Sequence, residues 1–260
     1  MKDQVGTYLR TEVIGKILEY YGEVGSSNDV AYEMAAEGSP EGTVVVADSQ
    51  TKGRGRLHRT WISPPGMNIY ISIILRPEIP THNAPLLTLI TSIALSETIR
   101  GFGADPRIKW PNDLLINGRK FAGILNEMQP KGEVVDFIVI GVGVNLNMSR
   151  RIIQEVMGEI GETATSILEV TGKTVDRAQF AAGFLMALEN WYFIFKKEGS
   201  SYILNEWKNR WGELNKRIQV RLNGKVIEGT AFDVDDAGHL LLRKDDGSVE
   251  RIIAGDVILP

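Results

Sequence analysis

The chain has 260 residues, 43% of them hydrophobic, with a formal net charge of -4, no cysteine and three histidines. That length buries the core of one large domain plus a small one, and the acidic balance offers no global field to a nucleic acid or an anionic membrane. Without cysteine there is no disulfide framework, thiolate metal site or Cys nucleophile, and His58, His82 and His239 are too scattered to suggest a histidine metal site or a Ser-His-Asp triad. No apolar run approaches the roughly 20 residues that span a bilayer. Met1-Lys2-Asp3-Gln4 lacks a signal-peptide core, so the expected address is the cytoplasm.

In chain order, Tyr8 to Val13 reads as a short helix and Lys16 to Tyr21 as a strand. Gly25-Ser26-Ser27-Asn28 then precedes a helix expected over Asp29 to Glu37, ended by Gly38 and Pro40. Small hydroxyl and amide side chains there serve either as caps or as ligands for a polar molecule. The apolar run Thr43 to Ala47 leads into Gln50-Thr51-Lys52-Gly53-Arg54-Gly55-Arg56-Leu57-His58-Arg59-Thr60-Trp61, with two glycines, four cationic side chains and a closing aromatic. Bare backbone N–H groups beside guanidinium forks suit a phosphate or carboxylate; a solvated basic loop or a nucleic-acid contact is the alternative. The loop is neither Walker A, for want of Gly-Lys-Ser/Thr, nor G-x-G-x-x-G, since His58 stands at the third glycine.

Asn68 to Leu75 reads as a strand and Ala84 to Arg100 as a helix. Arg107 to Asp113 leads through Leu114-Leu115-Ile116 to Asn117-Gly118, a type I′ hairpin signal that sets Asp113 opposite Lys120. Such a pair is either a cross-strand ion pair or part of a site. Glu133 to Ile140 is a further strand ending in Gly141-Val142-Gly143-Val144-Asn145, where glycine permits close approach of a ligand or a neighbouring strand. Asp176 to Lys197 and Tyr202 to Trp211 read as helices. Beyond Gly212 come short β-rich runs punctuated by Asn223-Gly224, Asp235-Asp236-Ala237-Gly238 and Asp245-Asp246-Gly247, which predicts a small barrel of about five strands. The expected domains are 1–212 and 213–260.

Together these segments suggest one pocket in which Arg56 and Lys120 neutralise a phosphoryl group and Asn112 or Asp113 holds a metal or orients an amine. No side-chain nucleophile is required. The motifs Gly53-Arg54-Gly55-Arg56 with Trp61, Lys109-Trp110-Pro111-Asn112-Asp113, Lys120 to Leu125 and Gly141 to Asn145, in this order, resemble the biotin protein ligases from about Gly15 to the C-terminal barrel. The resemblance implies an α+β fold: a catalytic domain like those of class II aminoacyl-tRNA synthetases, with a mixed sheet flanked by helices, plus an SH3-like barrel. It implies that biotin attacks the α-phosphate of ATP to give biotinyl-5′-AMP and pyrophosphate, and that an acceptor lysine then takes the biotinyl group. By the same resemblance Ser26, Ser27, Asn28, Gln50, Gly55 and Gly123 border biotin, and Arg54, Arg56 and Lys120 face both carboxylate and phosphate. Trp61, Asn112 and Asn145 border the nucleotide, and Mg²⁺ accompanies the departing pyrophosphate. Asp113 is expected to orient the acceptor amine.

Gly25-Ser26-Ser27-Asn28 departs from the family's Asp-Ser-Thr-Asn, so Ser27 must supply the hydroxyl, and Leu57-His58 replaces the Arg-Gly of some members. Fewer than thirty residues precede Ser26, too few for a winged helix, so operator DNA is not an expected partner. The expected acceptor is the biotin carboxyl carrier domain of acetyl-CoA or pyruvate carboxylase, recognised by strand pairing and by the barrel. A homodimer is expected to use an edge strand, Asn68 to Leu75 or Val134 to Ile140. Lipoate–protein ligases share the implied fold and are the nearest rival; a nucleic-acid-binding protein is the rival from another class.

Overall fold

The structure is a computed structural model that describes residues 1–222 and 224–258, without the side chain of residue 58. The first part of the chain forms α1 (Lys2–Tyr8), β1 (Leu18–Val24), α2 (Ser27–Ala36), β2 (Val44–Gln50) and β3 (Ile69–Leu75). There follow α3 (Pro85–Gly101), β4 (Arg107–Lys109), β5 (Asp113–Ile116), β6 (Arg119–Lys131) and β7 (Val134–Val144). Helices α4 (Arg150–Met157), α5 (Ile167–Thr171), α6 (Arg177–Glu198) and α7 (Ser200–Lys208) precede β8 (Lys216–Leu222), β9 (Lys225–Val234), β10 (Leu240–Arg243), β11 (Val249–Ile252) and β12 (Asp256–Ile258).

The first seven strands make one sheet in the order β1-β2-β3-β7-β6-β5-β4. Only β1 and β2 run parallel, and α2 is the crossover that a parallel pair needs. Period-two alternation divides every central strand between two faces. On β7, Ile138, Ile140, Val142 and Val144 enter the main core beneath α3 and α6, whose Phe180, Phe184, Leu185 and Leu188 are fully buried. Each such side chain contributes about 2 kcal/mol of transfer free energy. Phe137 and Val139, on the other face, pack under Ala31 and Ala35 of α2. Gly141 and Gly143 continue that second face past Ala31, Gly141 under Asn28 in the first turn of α2 and Gly143 under Trp61.

Three expectations need correction. The predicted helix over Tyr8 to Val13 lies instead at Lys2–Tyr8. The buried Glu189 carboxylate accepts from the N–H groups of Glu12, Val13 and Ile14 at 2.6 to 2.7 Å, which removes the donors a helix there would need. The strands expected as edges, β3 and β7, are each hydrogen-bonded on both sides, so neither offers free backbone groups. The edges of this sheet are β1 and β4. At the Asn117-Gly118 turn both residues have positive φ (51° and 77°), as type I′ requires. A register shift at Leu114/Leu115, however, pairs Asp113 with Gly123 and leaves Lys120 opposite Leu115.

The last five strands form an antiparallel sheet, β11-β10-β9-β8-β12. Asn223 of the expected Asn-Gly turn lies outside the described residues, and β8 and β9 on either side of it pair as expected. Ile218, Val220, Ala231, Leu240 and Val257 join the same hydrophobic cluster as the large sheet, so the two sheets share a core. The buried Trp110 donates through Nε1 to the Gly238 carbonyl at 3.1 Å across this junction.

Candidate active site

The part of the large sheet around Gly123, Gly141 and Gly143 is the floor of a cavity of about 490 Å³. Its walls are the N-terminus of α2, the loop after β2, the turn before β5 and the segment around α4. Every candidate residue read from the sequence lines it: Ser26, Ser27, Asn28, Gln50, Arg54, Gly55, Arg56, Trp61, Asn112, Asp113, Lys120, Gly123 and Asn145.

The floor is glycine for a measurable reason. Gly123 and Gly143 are direct partners across β6 and β7. A Cβ on Gly143 would lie 2.4 Å from the Trp61 indole, and one on Gly123 3.1 Å from it. One step along the same face, a Cβ on Gly141 would lie 2.1 Å from Asn28 Oδ1. The Gly-Val-Gly-Val pattern therefore sets small residues toward the cavity and β-branched ones toward the core.

At the α2 end the walls are neutral amides and hydroxyls already bonded to one another. Helix α2 begins at Ser27, earlier than expected, and the Ser26 side chain makes no capping bond. The hydroxyl and amide groups therefore do not serve as caps. Gln50 Oε1 accepts from the N–H and Oγ of Ser27 (2.8 and 3.1 Å), and Gln50 Nε2 donates to Ser63 Oγ at 2.9 Å. Ser72 Oγ lies 2.8 Å from Ser27 Oγ and 2.6 Å from Asn28 Oδ1, while Asn28 Nδ2 donates to Glu127 Oε2 at 2.8 Å. Each dipole in this chain is fixed by the next before any ligand arrives. Arg54 also points to this end. Its guanidinium is held by Asp29 and by Glu127 Oε1 (3.0 Å), so two carboxylates compensate its charge.

The other end carries cations and unpaired polar atoms. Lys120 Nζ lies 2.6 Å from Asp113 Oδ1 and 5.3 Å from the centroid of the Trp61 ring. The pair is part-buried, with side chains 36% and 20% exposed, and the ammonium keeps donors that an entering anion can take. The expected facing of Asp113 and Lys120 is thus made by side chains despite the shifted backbone register. Arg56 Nη1 donates to Asn112 Oδ1 at 3.1 Å, and Asn112 Nδ2 donates to the Ile124 carbonyl at 2.8 Å, which fixes the amide. Burial lowers the pKa of Arg56; Asp256 and Asp113 oppose that shift and Arg59 adds to it. Asn145 Nδ2 donates to the Thr165 carbonyl at 3.0 Å, whereas its Oδ1 and the Trp61 Nε1 are buried without a partner among the described residues. Free polar atoms beside two cations are what a polyanion with a hydrogen-bonding base requires.

The sequence reading missed several of these groups. Ser72 is the lone hydroxyl in Ile71-Ser72-Ile73, and that interruption of an apolar strand was its only signal. Glu127 lies on the same strand face as Gly123, four residues on with Leu125 between them, and no residue-type pattern marked it. Asp29 and Asp256 went unread and Arg59 was read only as one of the loop's four cations; Met157, Ile160, Thr163 and Ala164, which line the cavity from the α4 side, also went unread. Among the described residues no three His, Asp or Glu side chains gather where they could hold a metal ion, and no helix is long and apolar enough to cross a membrane.

Comparison with known proteins agrees with this geometry. Residues 21–145 match the model of the biotin/lipoate A/B protein ligase family, and residues 214–259 match the biotin protein ligase C-terminal domain. The chain is 37% identical over 252 residues to the bifunctional ligase/repressor BirA of Bacillus subtilis, covering 96% of this chain and 76% of that protein. It is 31% identical over 263 residues to the biotin–[acetyl-CoA-carboxylase] ligase of Mycobacterium tuberculosis, covering 96% and 93%. The biotin protein ligase of Aquifex aeolicus, solved with biotin and ATP, superposes with a TM-score of 0.78 over 94% of this chain and 98% of that one, at 28% identity. With both family models matched in order, and with the fold and the motif residues around one cavity, the chain belongs to the biotin protein ligase family.

Proposed function

We infer that this protein joins biotin to a lysine of a biotin carboxyl carrier protein at the expense of ATP, through biotinyl-5′-AMP. The observation that carries this reading is the meeting, in one glycine-floored cavity, of a pre-bonded neutral network with the Arg56 and Lys120 cations. In the first step a carboxylate oxygen of biotin attacks the α-phosphorus, and the bond to pyrophosphate breaks. Two anions must approach, and Arg56 and Lys120 offset the charge that accumulates between them. In the second step the lysine amine attacks the biotinyl carbonyl, and the bond to AMP breaks. No side chain becomes acylated, so catalysis rests on positioning and charge.

The network of Ser27, Asn28, Gln50 and their partners suits the polar ring end of biotin, with Ser26, Gly55 and Gly123 shaping its surroundings. Trp61, Asn112 and Asn145 suit the nucleotide. Asp113, paired with Lys120, orients the incoming amine and offsets the positive charge of its ammonium form until the proton passes to solvent, after which the neutral amine attacks. Mg²⁺ fits as an ion carried in on the phosphate oxygens of ATP, since a cluster of protein carboxylates is absent among the described residues. We place the catalytic unit at 1–212 and read 213–260 as an SH3-like domain that helps dock the acceptor, in a cytoplasmic protein. A homodimer, if formed, uses an edge other than β3 or β7.

The test is ATP–pyrophosphate exchange with biotin or lipoate as the acid, on the wild type and on Arg56→Ala and Lys120→Ala. Exchange that needs biotin and falls in both variants is the expected result. Exchange with lipoate alone moves the substrate assignment to the sister activity, and exchange with neither acid removes it.

A further inference from the structure

The arginine loop is tied at two levels. At its base, Trp61 N–H donates to the Gly53 carbonyl (2.9 Å) and Gly55 N–H to the Arg59 carbonyl (2.7 Å). Its tip, Arg56 to Arg59, is reached from the C-terminal sheet: the Gly255 carbonyl accepts from Arg56 Nη1 at 3.4 Å, and the Asp256 carboxylate accepts from Arg59 Nη2. Gly255 has φ +155°, and a Cβ there would lie 2.6 Å from Val220 Cγ1, so the turn into β12 is built for close approach. Between the two clasped arginines Leu57 adopts φ 55° with 63% of its surface exposed. A left-handed leucine without a buried side chain persists only where its flanks are fixed from outside.

We propose that Asp256, together with the Gly255 carbonyl, is a positioning residue for adenylation: the C-terminal sheet clasps the tip of the arginine loop and so sets Arg56 over the phosphate site. The proposal rests on the functional reading above and adds to it a dependence of the first step, which needs no acceptor protein, on the C-terminal sheet. The charged groups that face the clasp are Arg56, Arg59, Lys109, Asp113, Lys120 and Arg221. Asp256 borders the cavity, and its described partners are the two arginines, through which it acts.

The experiment compares the full-length wild type with Asp256→Ala, Arg59→Ala and the exchanged pair Arg59→Asp/Asp256→Arg. Biotin-dependent ATP–pyrophosphate exchange should show KM for ATP raised about fivefold in each single variant, as for loss of a partly exposed ion pair, with KM for biotin unchanged. Biotinyl-5′-AMP should leave each single variant faster by a similar factor, and the exchanged pair should recover most of both losses. Asp245→Ala, which breaks an exposed pair with Arg217 on the same small sheet, should change neither. Tryptic cleavage after Arg56 and Arg59 should be faster in Asp256→Ala than in the wild type, a readout that requires no activity. Wild-type cleavage and wild-type KM in Asp256→Ala, or equal losses for biotin and ATP, would overturn the clasp. If the wild type shows no biotin-dependent exchange, the functional reading fails and the cleavage rates decide the clasp alone. Should Asp256→Ala not fold, Arg59→Ala, whose side chain is 63% exposed, carries the same comparison.

Discussion

The two ends of the cavity are built on opposite principles. Around Gln50, Ser27, Ser72 and Asn28 each polar atom named above has a partner within the chain, and the side chains are buried or nearly so. Around Lys120, Arg56, Trp61 and Asn145 the groups are charged or left unpartnered. The first arrangement costs little reorganisation when a neutral polar ring binds, and it discriminates by hydrogen bonds that an incorrect ligand would leave unmade. The second is electrostatically incomplete until an anion enters, which favours the state in which negative charge is greatest.

The comparison is tested most severely by Lys120→Ala. It should lower the rate of pyrophosphate exchange by about 10²- to 10³-fold while biotin still binds, since a cation aimed at developing charge is removed. Loss of biotin binding with no effect on turnover would reverse the assignment of the two ends. Next come two substitutions on one strand face. Gly141→Ala drives a methyl into Asn28, and Gly143→Ala drives one into Trp61. The first should raise KM for biotin by about tenfold and the second should do so for ATP, each equivalent to about 1.4 kcal/mol. Identical kinetic profiles for the two would show that the ends are not separable. Ser72→Ala leaves Ser27 Oγ and Asn28 Oδ1 each one partner short, at about 1 kcal/mol, so KM for biotin should rise about fivefold with kcat retained. The smallest effect is expected for Glu127→Gln. It keeps an acceptor for Asn28 and halves the compensation of Arg54, so calorimetric biotin affinity should fall by no more than about threefold.

Legibility of this molecule from its sequence followed the range of the interactions. Helices α3 and α6 and the central strands were readable because their periodicity is local, and the Gly-Val-Gly-Val run announced a close approach through residue type alone. The type I′ turn was correct, yet the pairing beyond it shifted by a bulge that no dipeptide encodes. The first turn of α2 was misjudged because Ser and Asn are strong caps in isolation; here Gln50 and Ser72, distant in sequence, claim their side chains instead. Glu189 redirected the N-terminal segment from 175 or more positions away. Most candidate site residues came from ordered motifs, whereas Ser72, Glu127 and Asp256 carry single-residue signals that acquire meaning only from the fold.

The alternation on β7 has a consequence for how this chain can tolerate change. Val142 and Val144 seal the core while Gly141 and Gly143, interleaved with them, leave room on the opposite side for Asn28 and Trp61. Inserting or deleting one residue upstream within the strand would exchange the two sets: valine methyls would fill the cavity, and glycines would leave voids beneath α3 and α6. Substitutions here therefore divide cleanly between binding and stability, but a change of strand length does not. Length variation among functional descendants of this sequence should be found in its turns and never between Val134 and Val144.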